Sequence, residues 1–306
     1  MTAMAVAALA VALLTAFMQS ATYVLTRFFY ARGGTPAQLA YLNFMLMGAV
    51  SCAALWPAGV AGVRWSAELA GWLALEAATF LAGQVCWLAA LAKAPGSRLA
   101  TLYNLKIIFV GVLYSVCFAA PFNRWMVAGL LLAAAAAMLM NKFSRSGNGG
   151  ARGGGSAWLL LAGAIAFLSW ADIGAAGMLK CLGRPGDLRA VILTVCLGNA
   201  AAAALAAPLW KLGRPRRELV APALPYIAVC LVSIATYFFC ISVLDPAFSA
   251  VLASTRGLFS LALGMVLAKL GFTALEPRLS RRQWLWCGVA AMLMIAAIVI
   301  YACGKF

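Results

Sequence analysis

The chain has 306 residues, 66% of them hydrophobic and only 10% charged, with a mean hydropathy of +0.99; soluble domains carry about 25% charged residues, so a soluble enzyme is excluded. Lys and Arg number 23 against 7 Asp and Glu, with no His. Because the cations sit mostly in short loops between apolar runs, the +16 balance reads as the positive-inside pattern of a membrane protein and not as a nucleic-acid footprint.

The first apolar run, Ala3 to Thr26, is followed and not preceded by its first positive charge, Arg27, so it reads as a retained helix and not a cleaved signal peptide. Four more spans complete the first half: Gln38 to Trp56, Leu69 to Ala92, Ser97 to Ala119 and Trp125 to Asn141. A stretch rich in Gly, Ser, Asn and Arg, with glycines 147, 149, 150, 153, 154 and 155, then reads as a flexible linker over 142–157. The second half holds Trp158 to Leu179, Leu188 to Trp210, Leu219 to Val243, Pro246 to Leu270 and Trp284 to Cys303. The predicted architecture is an all-α integral membrane protein of ten transmembrane helices, with residues 1–141 and 158–306 forming two five-helix repeats. An odd number of spans per half makes the repeats inverted. At an offset of 150, Ala100, Leu102, Lys106, Phe109, Leu113 and Val116 fall on Ala250, Leu252, Arg256, Phe259, Leu263 and Val266. The matched cations carry more weight than the aliphatics in so apolar a chain.

Nine cysteines lie within or at the ends of apolar runs, with no CxxC pair and no His, so they read as small buried hydrophobes, and no metal or other cofactor is expected. Pro95-Gly96 and Asp245-Pro246 precede the fourth and ninth spans as turn chemistry, the latter as an N-cap followed by a first-turn proline. Ala133 to Ala137 and Ala200 to Ala204 allow close helix packing and receive no functional role.

Four ionisable residues fall inside spans: Glu76, Lys106, Asp172 and Arg256. Each costs about 2.5–3.5 kcal/mol at a helix centre unless paired or wetted, so a purely structural bundle would gain by losing them. Lys106 and Arg256 lie near the middle of equivalent spans, and a pseudo-two-fold brings them to one cavity suited to a carboxylate or phosphate. The competing reading pairs Lys106 with Glu76 and Arg256 with Asp172, since the four charges sum to zero. Glu76 and Asp172 are otherwise candidates for carrying a coupling proton, and the sequence leaves both roles open. Uncharged polar and aromatic residues form a second tier: Gln19, Tyr23, Asn43, Gln84, Trp87, Tyr103, Asn104, Trp170, Asn199, Thr236 and Tyr237. Tyr103 shares a helix face with Lys106 at i, i+3 spacing.

The pattern resembles the ten-helix, EamA-like branch of the drug/metabolite transporter superfamily over essentially the whole chain. The similar stretches are Leu91-Ala92-Lys93-Ala94-Pro95 entering span four, Ala250-Val251-Leu252-Ala253-Ser254 in span nine, and Gln283-Trp284 with Gly288 opening span ten, echoed by Trp125 and Gly129. Glu276 stands where the family often places an acid before its last helix, whereas the first half has Pro121-Phe122-Asn123, and the proline frequent inside spans four and nine is absent. The resemblance implies a central cavity among spans three, four, eight and nine with contributions from one and six, alternating access, and a small-metabolite substrate. On that basis the substrate-binding set is Lys106, Arg256, Tyr103, Gln19, Tyr23, Gln84 and Tyr237, with Glu76 and Asp172 as proton carriers or charge partners, in a multi-pass plasma (inner) membrane protein. The expected partners are a small-molecule substrate, the lipid bilayer and a coupling proton or exchange metabolite. A lipid flippase or accessory membrane subunit is the alternative. An intramembrane lipid-modifying enzyme would need clustered carboxylates or a His at one face, and the loop acids stand one per loop. No P-loop appears, so ATP does not drive the chain alone. Loop charge puts both termini outside, whereas the resemblance implies both inside.

Overall fold

The computed structural model describes residues 3–94, 99, 102–120, 123–144, 155–211, 213–214, 216–269 and 281–305. Pro95-Gly96, Pro121-Phe122, Glu276 and linker residues 145–154 lie outside them; the ends of the predicted linker are helical, 142–144 continuing one helix and 155–157 opening the next.

Among the described residues there are α-helices, two short 3-10 segments and no strand. In chain order the helices are α1 (Ala3–Ala31), α2 (Pro36–Leu55), α3 (Ala67–Leu91), α4 (Lys106–Phe118), α5 (Arg124–Ser144), α6 (Gly155–Leu182), α7 (Leu188–Ala206), α8 (Arg217–Leu244), α9 (Pro246–Ala253), α10 (Arg256–Lys269) and α11 (Arg281–Lys305). Local chemistry sets several starts. Thr35 and Gln38 form a reciprocal capping box ahead of Pro36, and Ser66 caps α3 by accepting from the Leu69 amide. Asp245 caps α9 by accepting from the Phe248 N–H at 2.8 Å, with Pro246 in the first turn as predicted.

Among the described residues, seven segments are long and apolar enough to cross a bilayer: Val6–Ala31, Pro36–Leu55, Ala67–Leu91, Gly155–Leu182, Leu188–Lys211, Arg217–Leu244 and Pro246–Val266. Lys106–Phe118, Arg124–Leu139 and Gly288–Gly304 are shorter apolar helices. Large apolar side chains point outward, Leu159 being 76% exposed and Val116 75%, while Glu76, Asn104, Lys106, Asp172 and Arg256 are buried. Apolar residues outside and charges inside are the pattern of a multi-pass α-helical membrane protein.

Helices α3 and α6 pack together, as do α1 and α8, α2 and α7, and α5 and α11. Small residues permit these approaches where lipid offers no hydrophobic drive. A methyl at Gly174 of α6 would lie 2.8 Å from Glu76 Cβ on α3, and one at Gly129 of α5 would lie 2.9 Å from the Ala297 carbonyl oxygen on α11. Thr15 on α1 and Thr236 on α8 share a 2.8 Å hydrogen bond, and Asn199 on α7 donates to Ser51 on α2 at 3.2 Å. Thr236 and Asn199 of the second tier therefore act as interhelical glue.

Spans four and nine, predicted as continuous helices, are broken. The interruptions fall at Asn104-Leu105 and Ser254-Thr255, 150 residues apart, and each is followed by the cation that opens the next helix. In the first, Leu105 N–H donates to Leu102 C=O, Ile107 to Asn104 and Ile108 to Leu105; in the second, Thr255 donates to Leu252, Gly257 to Ser254 and Leu258 to Thr255. Each turn has tightened from α to i→i+3 bonding at matching positions. Side chains favour the change. Ser254 and Thr255 hydroxyls donate to the carbonyls of Val251 and Leu252, and Asn104 Nδ2 donates to the Ser254 carbonyl at 2.9 Å. The two interruptions thus touch, and Lys106 and Arg256 stand at helix starts within their spans.

Candidate functional site

A cavity of about 100 Å³ lies beside the two interruptions, lined from α1, α3, α6 and α8, from Tyr103 with Lys106, and from Arg256. All nine residues of the expected substrate-binding and charge-partner set, Gln19, Tyr23, Glu76, Gln84, Tyr103, Lys106, Asp172, Tyr237 and Arg256, line it. Helical spacing explains the convergence: Glu76, Phe80, Gln84 and Trp87 share one face of α3, and Tyr226, Cys230, Ser233 and Tyr237 share one face of α8. Tyr226, Cys230 and Ser233 were not singled out from sequence, although their 4, 3, 4 spacing with Tyr237 is a polar stripe on an otherwise apolar helix. Trp170, by contrast, is 37% exposed and outside the cavity lining.

The ion pairing differs from the sequence expectation. Lys106 Nζ lies 2.9 Å from Asp172 Oδ1 and 2.8 Å from Oδ2, and the Tyr237 hydroxyl donates to Oδ2 at 2.7 Å. The Lys106–Glu76 and Arg256–Asp172 pairs of the competing reading are not formed; α6 carries Asp172 to the start of α4, where Lys106 pairs with it. Both partners are buried, Lys106 at 6% exposure and Asp172 at 5%.

Arg256 is held by neutral groups. One guanidinium nitrogen donates to Gln19 Oε1 at 2.8 Å and Nε donates to Asn104 Oδ1 at 3.3 Å, while Cζ lies 4.2 Å from the Tyr103 ring centroid. Its carbonyl accepts from the Ser20 hydroxyl of α1 at 2.8 Å, which pins the helix start. Tyr103, Trp87 and Tyr23 continue as an aromatic wall, with centroids 4.8 and 5.1 Å apart.

Two acceptors on the α3 face, Glu76 Oε2 and Gln84 Oε1, are buried without a hydrogen-bond partner. The site therefore combines one cation shared with a carboxylate, one cation on neutral partners, a helix N-terminus behind each, and free acceptors across an aromatic wall. Such a cavity suits a molecule with an anionic group at one end and hydrogen-bond donors elsewhere.

No protein-family model and no curated protein matches this sequence. The fold itself occurs among solved structures: one crystal structure, described only as that of a protein, superposes on 98% of this chain and 96% of its own with a TM-score of 0.68 at 18% identity.

Proposed function

We propose that this chain is a secondary transporter that moves a small metabolite bearing a carboxylate or phosphate across the plasma membrane by alternating access, as an EamA-like member of the drug/metabolite transporter superfamily. The observation that carries this reading is the pair of interrupted helices, each opening on a buried cation that faces one cavity. Discontinuous helices with N-termini directed at a central site are how many transporters hold anionic groups, since partial positive charge at the helix start adds to that of the side chain. The helix packing supports two inverted five-helix repeats in a ten-span chain. At an offset of 150, α1 against α8 exchanges with α6 against α3, and α2 against α7 maps onto itself.

The test is uptake by proteoliposomes offered a defined library of anionic, neutral and cationic metabolites. Accumulation of a carboxylate or phosphate by the wild type, lost in Arg256→Gln at unchanged protein folding, supports the reading. Accumulation of neutral or cationic compounds only, or of none, overturns it.

A further inference from the structure

Glu76 is 2% exposed in the middle of α3, where an ionised carboxyl needs a counter-charge or several donors. Its Oε2 has no hydrogen-bond partner. Lys106, the cation expected to pair with it, is held by Asp172. Around Glu76 the neighbouring helices turn glycine: a methyl at Gly174 of α6 would lie 2.9 Å from its Cα, and one at Gly198 of α7 would lie 2.5 Å from Oε2. Two glycines leave room for a carboxyl group and offer it no side-chain donor. Asp172 is the opposite case, with one oxygen shared by Lys106 and Tyr237 and the other bonded to Lys106.

The charged groups that share the cavity with Glu76 are Asp172 from α6, Lys106 opening α4 and Arg256 opening α10. The other titratable groups there are the phenols of Tyr23, Tyr103, Tyr226 and Tyr237 and the thiol of Cys230, which are neutral at physiological pH by their ordinary acidity. From α7 the nearest titratable residue in sequence to Gly198 is Cys196, and the buried face of α2 carries no acid or base. Glu76 therefore shares the cavity with two cations and one other carboxylate. With Glu76 protonated the cavity holds one net positive charge, and with Glu76 ionised it is neutral.

Deepening the transport reading on which it rests, we propose that Glu76 is the proton-binding group of this cavity and takes up its proton together with a monovalent anion. Both neutral combinations then cross at low electrostatic cost: the empty site with Glu76 ionised, and the loaded site with Glu76 protonated and the anion on Arg256 and Lys106. Proton and anion move in the same direction, and a proton gradient drives the anion. Asp172 remains the partner of Lys106 and Tyr237.

Infrared spectroscopy of the purified chain, followed as the pH is lowered, reads the proton directly. The expected result is the carbonyl stretch of a buried protonated carboxyl that is absent in Glu76→Gln and retained in Asp172→Asn. A spectrum without that band, or a band that survives Glu76→Gln, overturns the proposal. If Glu76→Gln does not fold, carbon-13 labelling of glutamate in the wild type makes the assignment, since Glu76 is the buried one among the described glutamates; a band that does not shift overturns the proposal. Proteoliposomes loaded with a pH dye and offered the monovalent anions lactate and glutamate supply the second arm. Anion entry with lumenal acidification in the wild type, and pH-insensitive exchange in Glu76→Gln, supports coupling. Anion entry without proton movement overturns it while leaving the transport reading intact. Failure of the whole metabolite library overturns transport and coupling together, with the infrared band still reporting the proton on Glu76.

Discussion

Replacing Lys106 by Gln isolates the buried ion pair. In the wild type its ammonium sits 2.8–2.9 Å from both Asp172 oxygens, with partners 6% and 5% exposed. Removing one member of a buried pair costs about 3–5 kcal/mol, because the other charge stays desolvated. Asp172 keeps the 2.7 Å hydrogen bond from Tyr237, and a Gln side chain can still donate, so the low end, about 3 kcal/mol, is expected. Adding Asp172→Asn removes the stranded charge, and the double variant should return to within about 1 kcal/mol of the wild type. The assay is reversible unfolding in mixed micelles over the full double-mutant cycle, with metabolite uptake measured on the same four proteins. A coupling energy of about 2 kcal/mol or more, with uptake lost in every variant lacking Lys106, is the expected outcome. A single variant that loses under about 1 kcal/mol would refute the pairing energetics. A double variant with wild-type stability and full uptake would make Lys106 a structural ion and refute its role toward substrate.

Three other perturbations follow from the same geometry. Arg256→Lys keeps the charge but loses the planar fork that spans Gln19, Asn104 and the Tyr103 face, so anion affinity should fall by about tenfold or more, ~1.4 kcal/mol, in a binding assay on a protein with an unchanged melting temperature; unchanged affinity would refute a role for the fork. Asn104→Ala leaves the Ser254 carbonyl without its donor and should cost about 1–3 kcal/mol in micelle unfolding, with an effect below a few tenths counting against the contact between the two interruptions. Gly174→Val pushes a branched side chain onto the Glu76 backbone, which cannot rotate away, and should destabilise the α3–α6 packing by about 1–3 kcal/mol or more; a neutral result in the same unfolding assay would show that the helices are further apart.

Seven of the spans were legible because bilayer thickness imposes a length and an apolar composition that few other structures share, and Asp245-Pro246 marked one helix start. The nine candidate residues reached one cavity because a polar group inside an apolar span has few places to go but inward. The interruptions were not legible from hydropathy, since neither Pro nor Gly stands at 104–105 or 254–255. Their trace is chemical: Asn104 two residues before Lys106, and Ser254-Thr255 before Arg256, put side chains that compete for backbone hydrogen bonds just ahead of a buried cation. Pairing was illegible for a different reason. Which acid meets Lys106 depends on how α6 and α3 cross, and that crossing is set by Gly174 and Gly83, whose significance lies in what a methyl would strike and not in any sequence pattern.

The accessibility of Cys230 tests the central claim, a shared anion site opened alternately to the two sides of the membrane. This thiol lines the cavity and is 5% exposed, so a chain with its other eight cysteines replaced carries a native reporter at the site. A membrane-impermeant thiol reagent, applied to one face or the other of oriented vesicles, should label Cys230 from both, and a transported anion should slow labelling from each. Labelling from one face alone, or labelling that no anion slows, would contradict alternating access to this cavity.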